Sequence, residues 1–240
     1  ESVLELKNSK YILEKTKEFL SKNNFINETW NALNLLVQNA STVGAIDLGF
    51  YNINKNNNFI FFDKLENKEF KLLYLVGSDN FEIKKNDEFI IYQGSHGDKN
   101  AQIADVILPG AAFTEQNGLF LNLEGRTQEC RKASYPTNEA LEDWKIFNLI
   151  NQSLNSSNLF SDFLSIRKLA LQEIINFSEI DSLPEKKKLV IAKTLLEATS
   201  EKINIKHIDY YFSNSIARAS KTMSDCRNVI NDNKKNGTDN

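Results

Sequence analysis

Between positions 8 and 22, Ile12, Leu13, Thr16, Phe19 and Leu20 recur at helical spacing with Lys15, Lys17 and Glu18 between them. That pattern predicts an amphipathic helix, which Asn23 and Asn24 then stop. A stripe of Trp30, Leu33, Val37 and Ala40, with Leu36 beside it, predicts a second helix from about Glu28 to Ala40. The asparagine-dominated stretch 51–58 predicts a loop.

From residue 71 the pattern changes to short continuous apolar runs. Leu72 to Val76 ends in Gly77-Ser78-Asp79, Phe89 to Tyr92 in Gln93-Gly94, and Asp105 to Leu108 in Pro109-Gly110. Runs of this kind, each closed by a glycine-bearing turn, predict buried parallel strands of an α/β sheet whose carboxyl-end loops form the site-bearing edge. Neither a G-x-G-x-x-G nor a G-x-x-x-x-G-K-[ST] pattern follows any of them, so dinucleotide and P-loop chemistry lack their signature. The looser alternation of Leu119, Leu121 and Leu123, with Gly118 and Gly125, predicts a hairpin within 113–131.

Helical spacing resumes over Asn138 to Leu154, with Trp144, Phe147, Ile150 and Leu154 facing inward, and over Leu159 to Phe177. A further helix is predicted from Pro184, a favoured first-turn residue, to about Thr199. A last one spans 212–230 around Ile216 and Ile230, and the polar segment 231–240 is expected to be disordered.

A length of 240 residues, 27.4 kDa, allows one large or two small domains. With 41% hydrophobic, 25% charged and 10% aromatic residues the composition is that of a globular protein. No run approaches the roughly 20 apolar residues of a helical membrane span. Twenty-nine basic against 32 acidic side chains leave a net charge of -3, which is no electrostatic footprint for nucleic acid or an anionic membrane. Lysine outnumbers arginine 24 to 5, and about thirty asparagines accompany them, a bias that AT-rich codons explain without function. The chain begins with Glu1, and its first twenty residues have neither the apolar core of a secretory signal nor the Arg-rich character of a transit peptide. It is therefore expected to be mature, truncated, or made where it works.

Two cysteines and two histidines cannot fill a cysteine-rich zinc site, still less a four-thiolate iron–sulfur cluster. Cys130 and Cys226 lie far apart without a C-x-x-C spacing, so reduced thiols are expected. The loop Gly94-Ser95-His96-Gly97-Asp98 sits where function gathers, at a strand's carboxyl end. Residues so close in sequence rarely align as nucleophile, base and orienter, so a turn or ligand-contacting loop is the better reading. His207 has no carboxylate or cysteine cluster near it in sequence. Around Asn117 and Asn122, the residues Glu115, Glu124 and Arg126 are expected to form ion pairs and side-chain-to-backbone bonds. No catalytic, cofactor-binding or metal residue is assigned.

The run Phe89-Ile-Ile-Tyr-Gln-Gly-Ser-His-Gly-Asp98, then Ile103-Ala-Asp-Val-Ile-Leu-Pro-Gly110 through Gly118, and Leu121-Asn-Leu-Glu-Gly-Arg-Thr-Gln128 resemble the large iron–sulfur subunit of respiratory complex I, NADH:ubiquinone oxidoreductase. The broader A-D-V-x-L-P…E-x-x-G-x-x-x-N-x-E-x-R pattern of the molybdopterin oxidoreductase superfamily is matched by Ala104, Asp105, Val106, Leu108, Pro109, Glu115, Gly118, Asn122, Glu124 and Arg126. Trp30-Asn-Ala-Leu-Asn34, Val43 to Gly49, Glu142-Asp-Trp-Lys-Ile146 and Ala217-Arg-Ala-Ser-Lys-Thr-Met-Ser-Asp-Cys226 extend the likeness over about 28–226.

The resemblance implies an α/β fold with a Rossmann-like, partly parallel sheet. Residues 1–155 would be the carboxyl-terminal part of the molybdopterin-oxidoreductase-like domain, 156–230 a helical extension and 231–240 a disordered tail. It further implies a non-catalytic, structural part of the proton-pumping complex, supporting NADH-to-quinone electron transfer in the peripheral arm. Iron–sulfur clusters and FMN are expected on partner chains, one of them carrying the amino-terminal cluster-binding half, whether this chain is a split-gene product or a fragment. The implied location is the matrix side of the mitochondrial inner membrane, peripheral to it, or the cytoplasmic side of a bacterial plasma membrane. Other complex I subunits are the implied partners, with no nucleic acid. The alternative is a pterin-binding fragment of a molybdopterin oxidoreductase.

Overall fold

A computed structural model describes residues 6, 8–28, 30–37, 39–50, 61–79, 81–173, 179–184 and 209–235. The expected loop at 51–58, the helix after Pro184 and His207 lie outside these residues. The chain divides into two compact units. One comprises Glu1–Phe50, Leu119–Glu129 and Lys168–His207, the other Tyr51–Gly118, Cys130–Arg167 and Ile208–Asn240.

In the second unit, β1 (Leu72–Val76), β2 (Phe89–Gly94) and β3 (Val106–Pro109) form a parallel sheet in the order β1-β2-β3. Its register pairs Leu73 with Ile90, Leu75 with Tyr92, and Tyr92 with Ile107. All three strands fall on the predicted apolar runs, but β3, at the end of the strand order, is not buried as expected: Val106 and Ile107 are 39% and 55% exposed. Leu73, Leu75, Ile90 and Tyr92 face one side and, with Ile83 and Ala101, make the buried core. Phe61 and Leu65 of a short helix, α3 (Phe61–Glu66), pack against it. Each fully buried large apolar side chain contributes about 1.5–3 kcal/mol.

The β1–β2 connection contains no helix among the described residues. Asn100 of α4 (Lys99–Gln102), fully buried, holds it instead. Its Oδ1 accepts from the Ile83 N–H at 3.1 Å, and its amide donates to the Ser78 and Phe81 carbonyls at 2.5 and 2.8 Å.

In the first unit, α1 (Ser9–Lys22) occupies the predicted segment, and Asn24 beyond its end takes φ +60°. The expected helix over 28–40 does not form. Residues 30–37 run without helix after a bridge between Ile26 and Asn31. The apolar stripe is present, but Asn side chains bind the backbone there: Asn27 Oδ1 accepts from Trp30 N–H at 2.9 Å, and Asn31 Oδ1 from Leu33 N–H at 3.1 Å. Such local bonds compete with a helical ladder. A helix forms instead at α2 (Thr42–Asp47). The predicted hairpin appears as β4 (Gly118–Leu121) paired with β5 (Thr127–Cys130).

Helix α5 (Asp143–Asn155) starts five residues later than predicted, since Asn138 has φ +51°, which no α-helix accommodates. Its buried residue is Ile146; Phe147 and Leu154, expected inward, are 40% and 76% exposed. They line an apolar groove of about 510 Å³ with Trp144, Ile150, Phe160 and Ile166. Helix α6 (Phe163–Glu173) starts where the Asp162 carboxylate accepts the Ser165 N–H at 2.8 Å.

The last predicted helix is two, α7 (Ser215–Ala219) and α8 (Lys221–Lys235), broken at Ser220, which is extended. A 3-10 turn at Tyr210–Phe212 precedes them. Helix α8 runs five residues into the segment expected to be disordered, because no Gly or Pro interrupts the sequence from Lys221 until Gly237. Residues 236–240 lie outside the described residues. No helix among the described residues is long and apolar enough to cross a membrane.

Candidate functional site

A parallel sheet presents its ligands at the carboxyl ends of its strands, so the loops after β1, β2 and β3 are where chemistry belongs. At the end of β2, Gln93 is fully buried. The Tyr74 hydroxyl of β1 donates to its Oε1, and its amide donates to Asp143 Oδ1 at 2.7 Å. Gln116 donates to the other Asp143 oxygen at 2.9 Å and accepts the Asp143 N–H at 3.2 Å. Asp143 reaches this edge because Leu141 pairs with the end of β3: its N–H donates to the Pro109 carbonyl at 3.1 Å, and its carbonyl accepts from Ala111 at 2.8 Å. Gly110 leaves room for it, since a Cβ there would lie 3.1 Å from Asp143 Oδ1. Burial, and then the Asp143 charge, push the Tyr74 phenol above its ordinary value. Thus the Tyr92-Gln93-Gly94 and Glu142-Asp143-Trp144 segments, whose Gln93 and Asp143 are 50 positions apart, meet in one hydrogen-bonded chain.

A second cluster lies beside it. The Tyr92 hydroxyl donates to Asp79, which is 7% exposed, and Arg218 of α7 ion-pairs with Asp98. Arg218 also donates to the Phe212 carbonyl at 3.0 Å. Burial raises the Asp79 carboxyl above the usual range; the Tyr92 bond and Arg218 oppose that, while Asp98 adds to it. Tyr92 is raised more strongly, first by burial and then by Asp79. His96 Nδ1 lies 3.0 Å from Ser95 Oγ, but Asp98 turns to Arg218, so no nucleophile–base–orienter line exists in the loop.

Gly94 is required by Tyr92. An added Cβ would sit 2.7 Å from the phenol oxygen and 2.9 Å from Cε1, against a ring that is 1% exposed and tied to Asp79. Gly94→Ala is expected to lower stability by about 1–3 kcal/mol, read as a fall in the urea midpoint at unchanged slope.

Glu142, 4% exposed, is a charge hub. Lys132 lies at 3.0 Å, Lys145 at 3.4 Å, and the Trp144 indole donates at 3.1 Å. Burial alone would raise its carboxyl, yet bonds from Lys132 and Trp144 and the two lysine charges hold it below the ordinary value.

Glu115, Asn122 and Arg126 of the superfamily pattern, and Asn117 beside them, bind backbone. Glu115 accepts from Ala112 at 3.0 Å, and Asn117 from Lys132 at 3.0 Å. In the other unit, Asn122 Oδ1 accepts from both Glu124 and Arg126 at 2.9 Å, and the Arg126 guanidinium donates to the Asp181 carbonyl. Gly125, at φ +84°, makes that turn. Among the described residues no three His, Cys, Asp or Glu side chains gather as a metal site; Cys130 and Cys226 are free thiols. Sequence reasoning did not single out Tyr74, Asp79, Gln116 or Lys132. Their signal is position: Tyr74 in the first apolar run, Asp79 in the turn that closes it, Gln116 inside the run from Ile103 to Gly118, and Lys132 just after the Leu121–Gln128 motif.

A family model for molybdopterin oxidoreductases matches residues 1–152, and one for the C-terminal region of the G subunit of NADH-ubiquinone oxidoreductase matches 182–226. The NADH-ubiquinone oxidoreductase 75 kDa subunit of Reclinomonas americana is 35% identical over 231 residues, 95% of this chain and 33% of that protein. The mitochondrial NADH-ubiquinone oxidoreductase 78 kDa subunit of Candida albicans is 37% identical over 244 residues, 93% of this chain and 31% of that one. The G subunit of the NADH-quinone oxidoreductase of Rickettsia bellii is 35% identical over 216 residues, 90% and 30%. The chain spans about a third of the length of these relatives.

Proposed function

The chain belongs to the molybdopterin oxidoreductase family, in its complex I large-subunit branch, and from that premise we propose that it is a non-catalytic, structural part of a proton-translocating NADH:quinone oxidoreductase. In this reading residues 1–155 are the family's Rossmann-like α/β part and 156–230 a helical extension. The clusters and FMN that carry electrons from NADH to quinone lie on other complex I polypeptides, one of them holding the cluster-binding half. The chain sits in the peripheral arm, on the matrix side of the mitochondrial inner membrane or its bacterial counterpart.

One observation carries this reading: the ligand-bearing edge of the sheet is closed by the chain's own side chains. Gln93, Asp143, Gln116 and Tyr74 spend their polar groups on one another, and Asp98 spends its carboxylate on Arg218. A pterin needs free donors and acceptors there, and the residues present do not fit it. Asn122 Oδ1 and one guanidinium N–H of Arg126 are likewise committed to backbone. Only two cysteines are available as soft ligands.

The test is elemental and native-gel analysis of the purified complex and of this chain separated from it. The chain is expected to co-migrate with flavin- and cluster-bearing polypeptides and to retain neither iron nor molybdenum in stoichiometric amount. Stoichiometric metal on the separated chain would overturn the structural reading, and migration apart from the complex would overturn the placement.

A further inference from the structure

The segment Asp209–Lys235 holds itself together. Arg227 ion-pairs with Asp209 at 2.5 Å and lies over the Phe212 ring, 4.5 Å from its centroid. Asn214 caps α7 through the Ala217 N–H at 2.8 Å, and α8 packs on α7 and the 3-10 turn. Helix α8 is otherwise open to solvent: of its residues through Asn231, only Met223, Ser224 and Arg227 are half-buried.

The described hydrogen bonds and ion pairs that tie this segment to the sheet all leave from one side chain, Arg218. Its Nε pairs with Asp98 in the loop after β2, and Nη2 lies 3.5 Å from the Asp79 carbonyl after β1. Both members of the pair are about four-fifths buried, where a guanidinium–carboxylate bond is stronger than on an open surface. The pocket is also asymmetric: one guanidinium faces two carboxylates, and Asp79 Oδ1 is buried without a partner.

We propose that Arg218 and Asp98 form a latch, and that the carboxyl-terminal segment Asp209–Lys235 opens from the sheet as one unit when this pair is broken, leaving the sheet folded. The physical basis is the separation of the two sets of interactions. The strand ladder and the Leu73–Ile90–Tyr92 core involve no residue of the segment, so their protection against opening is independent of it, and cooperative units of this kind open with their own free energies.

The test is hydrogen exchange followed by mass spectrometry on the purified complex, comparing the natural protein with Arg218→Gln and Asp98→Asn. Both variants are expected to speed exchange of amides 215–235 by about tenfold or more, with amides of 72–76, 89–94 and 106–109 unchanged. The exchanged pair, Asp98→Arg with Arg218→Asp, is expected to recover part of the protection. Unchanged exchange in 215–235 in both variants would overturn the latch. So would strand amides losing protection together with the segment, which would make the pair one more contact of a single cooperative fold.

Discussion

Asp143→Ala is expected to be among the most damaging single substitutions in the described part of the chain, costing about 2–4 kcal/mol. Two amide donors aim at this carboxylate, Gln93 at 2.7 Å and Gln116 at 2.9 Å. Gln93 is fully buried, so no solvent can take the place of the lost acceptor. A buried group left unsatisfied costs about 1–3 kcal/mol, and a bond to a charged partner lies in the upper half of that range. Gln93 carries most of that cost, since Gln116 is only half-buried and also donates to the Ala111 carbonyl at 3.4 Å. The damage should also spread: Tyr74 holds the other end of Gln93, and its ring packs on Phe147 at a centroid distance of 5.9 Å. Asp143→Asn retains one acceptor and the shape, so it should cost less than half as much. As a control, Lys85→Ala removes an ion pair to Asp105 that is about one-third exposed on both sides and should cost no more than about 1 kcal/mol. Urea denaturation ranks the three. On the structural reading, the complex that does assemble with Asp143→Ala keeps its NADH-to-quinone rate per complex while its yield falls; a lower rate in fully assembled complex would mean that Asp143 acts on electron transfer itself.

The strands were legible because a short apolar run closed by Gly or Pro-Gly admits few alternatives in a chain that elsewhere shows helical spacing. The helix expected over 28–40 failed for a reason periodicity does not contain. Hydrophobic spacing reports which face would be buried, whereas Asn27 and Asn31 decide whether the backbone bonds to itself or to a side chain. Burial along α5 was misread in a related way. Trp144, Phe147, Ile150 and Leu154 do lie on one side, but they line an open groove while Ile146 enters the core. At the candidate site, the sequence singled out the loop ending in Asp98 and the segment containing Arg218 as separate motifs. That they meet across 120 positions, as Gln93 and Asp143 meet across 50, depends on the return of the chain to one sheet edge, and a single sequence does not encode that pairing visibly.

Glu142→Gln should produce the other large effect, and its dependence on pH identifies the cause. Near neutrality the substitution is expected to cost about 2–4 kcal/mol, because it strips a buried anion from Lys132, whose side chain is 28% exposed, and from the indole of Trp144. The contact with Lys145, 45% exposed, adds little. The folded carboxyl titrates below its ordinary 4.5, so the folded state binds fewer protons than the unfolded one just below that pH. Glu142 therefore contributes its full stabilisation above about 4.5, and that contribution disappears as pH falls through the folded value. Asp79 acts with the opposite sign: its raised folded value makes its contribution present at low pH and lost as pH rises. The acid limb of the natural protein is a sum of such terms, with Asp105, lowered chiefly by Lys85, on the side of Glu142. Subtracting the Glu142→Gln curve from the natural one isolates the single group. The gap in unfolding free energy should be widest above pH 5 and should close as the pH is taken below 4. A gap that stays constant across that range would show that the loss comes from altered packing around Trp144 rather than from the buried charge.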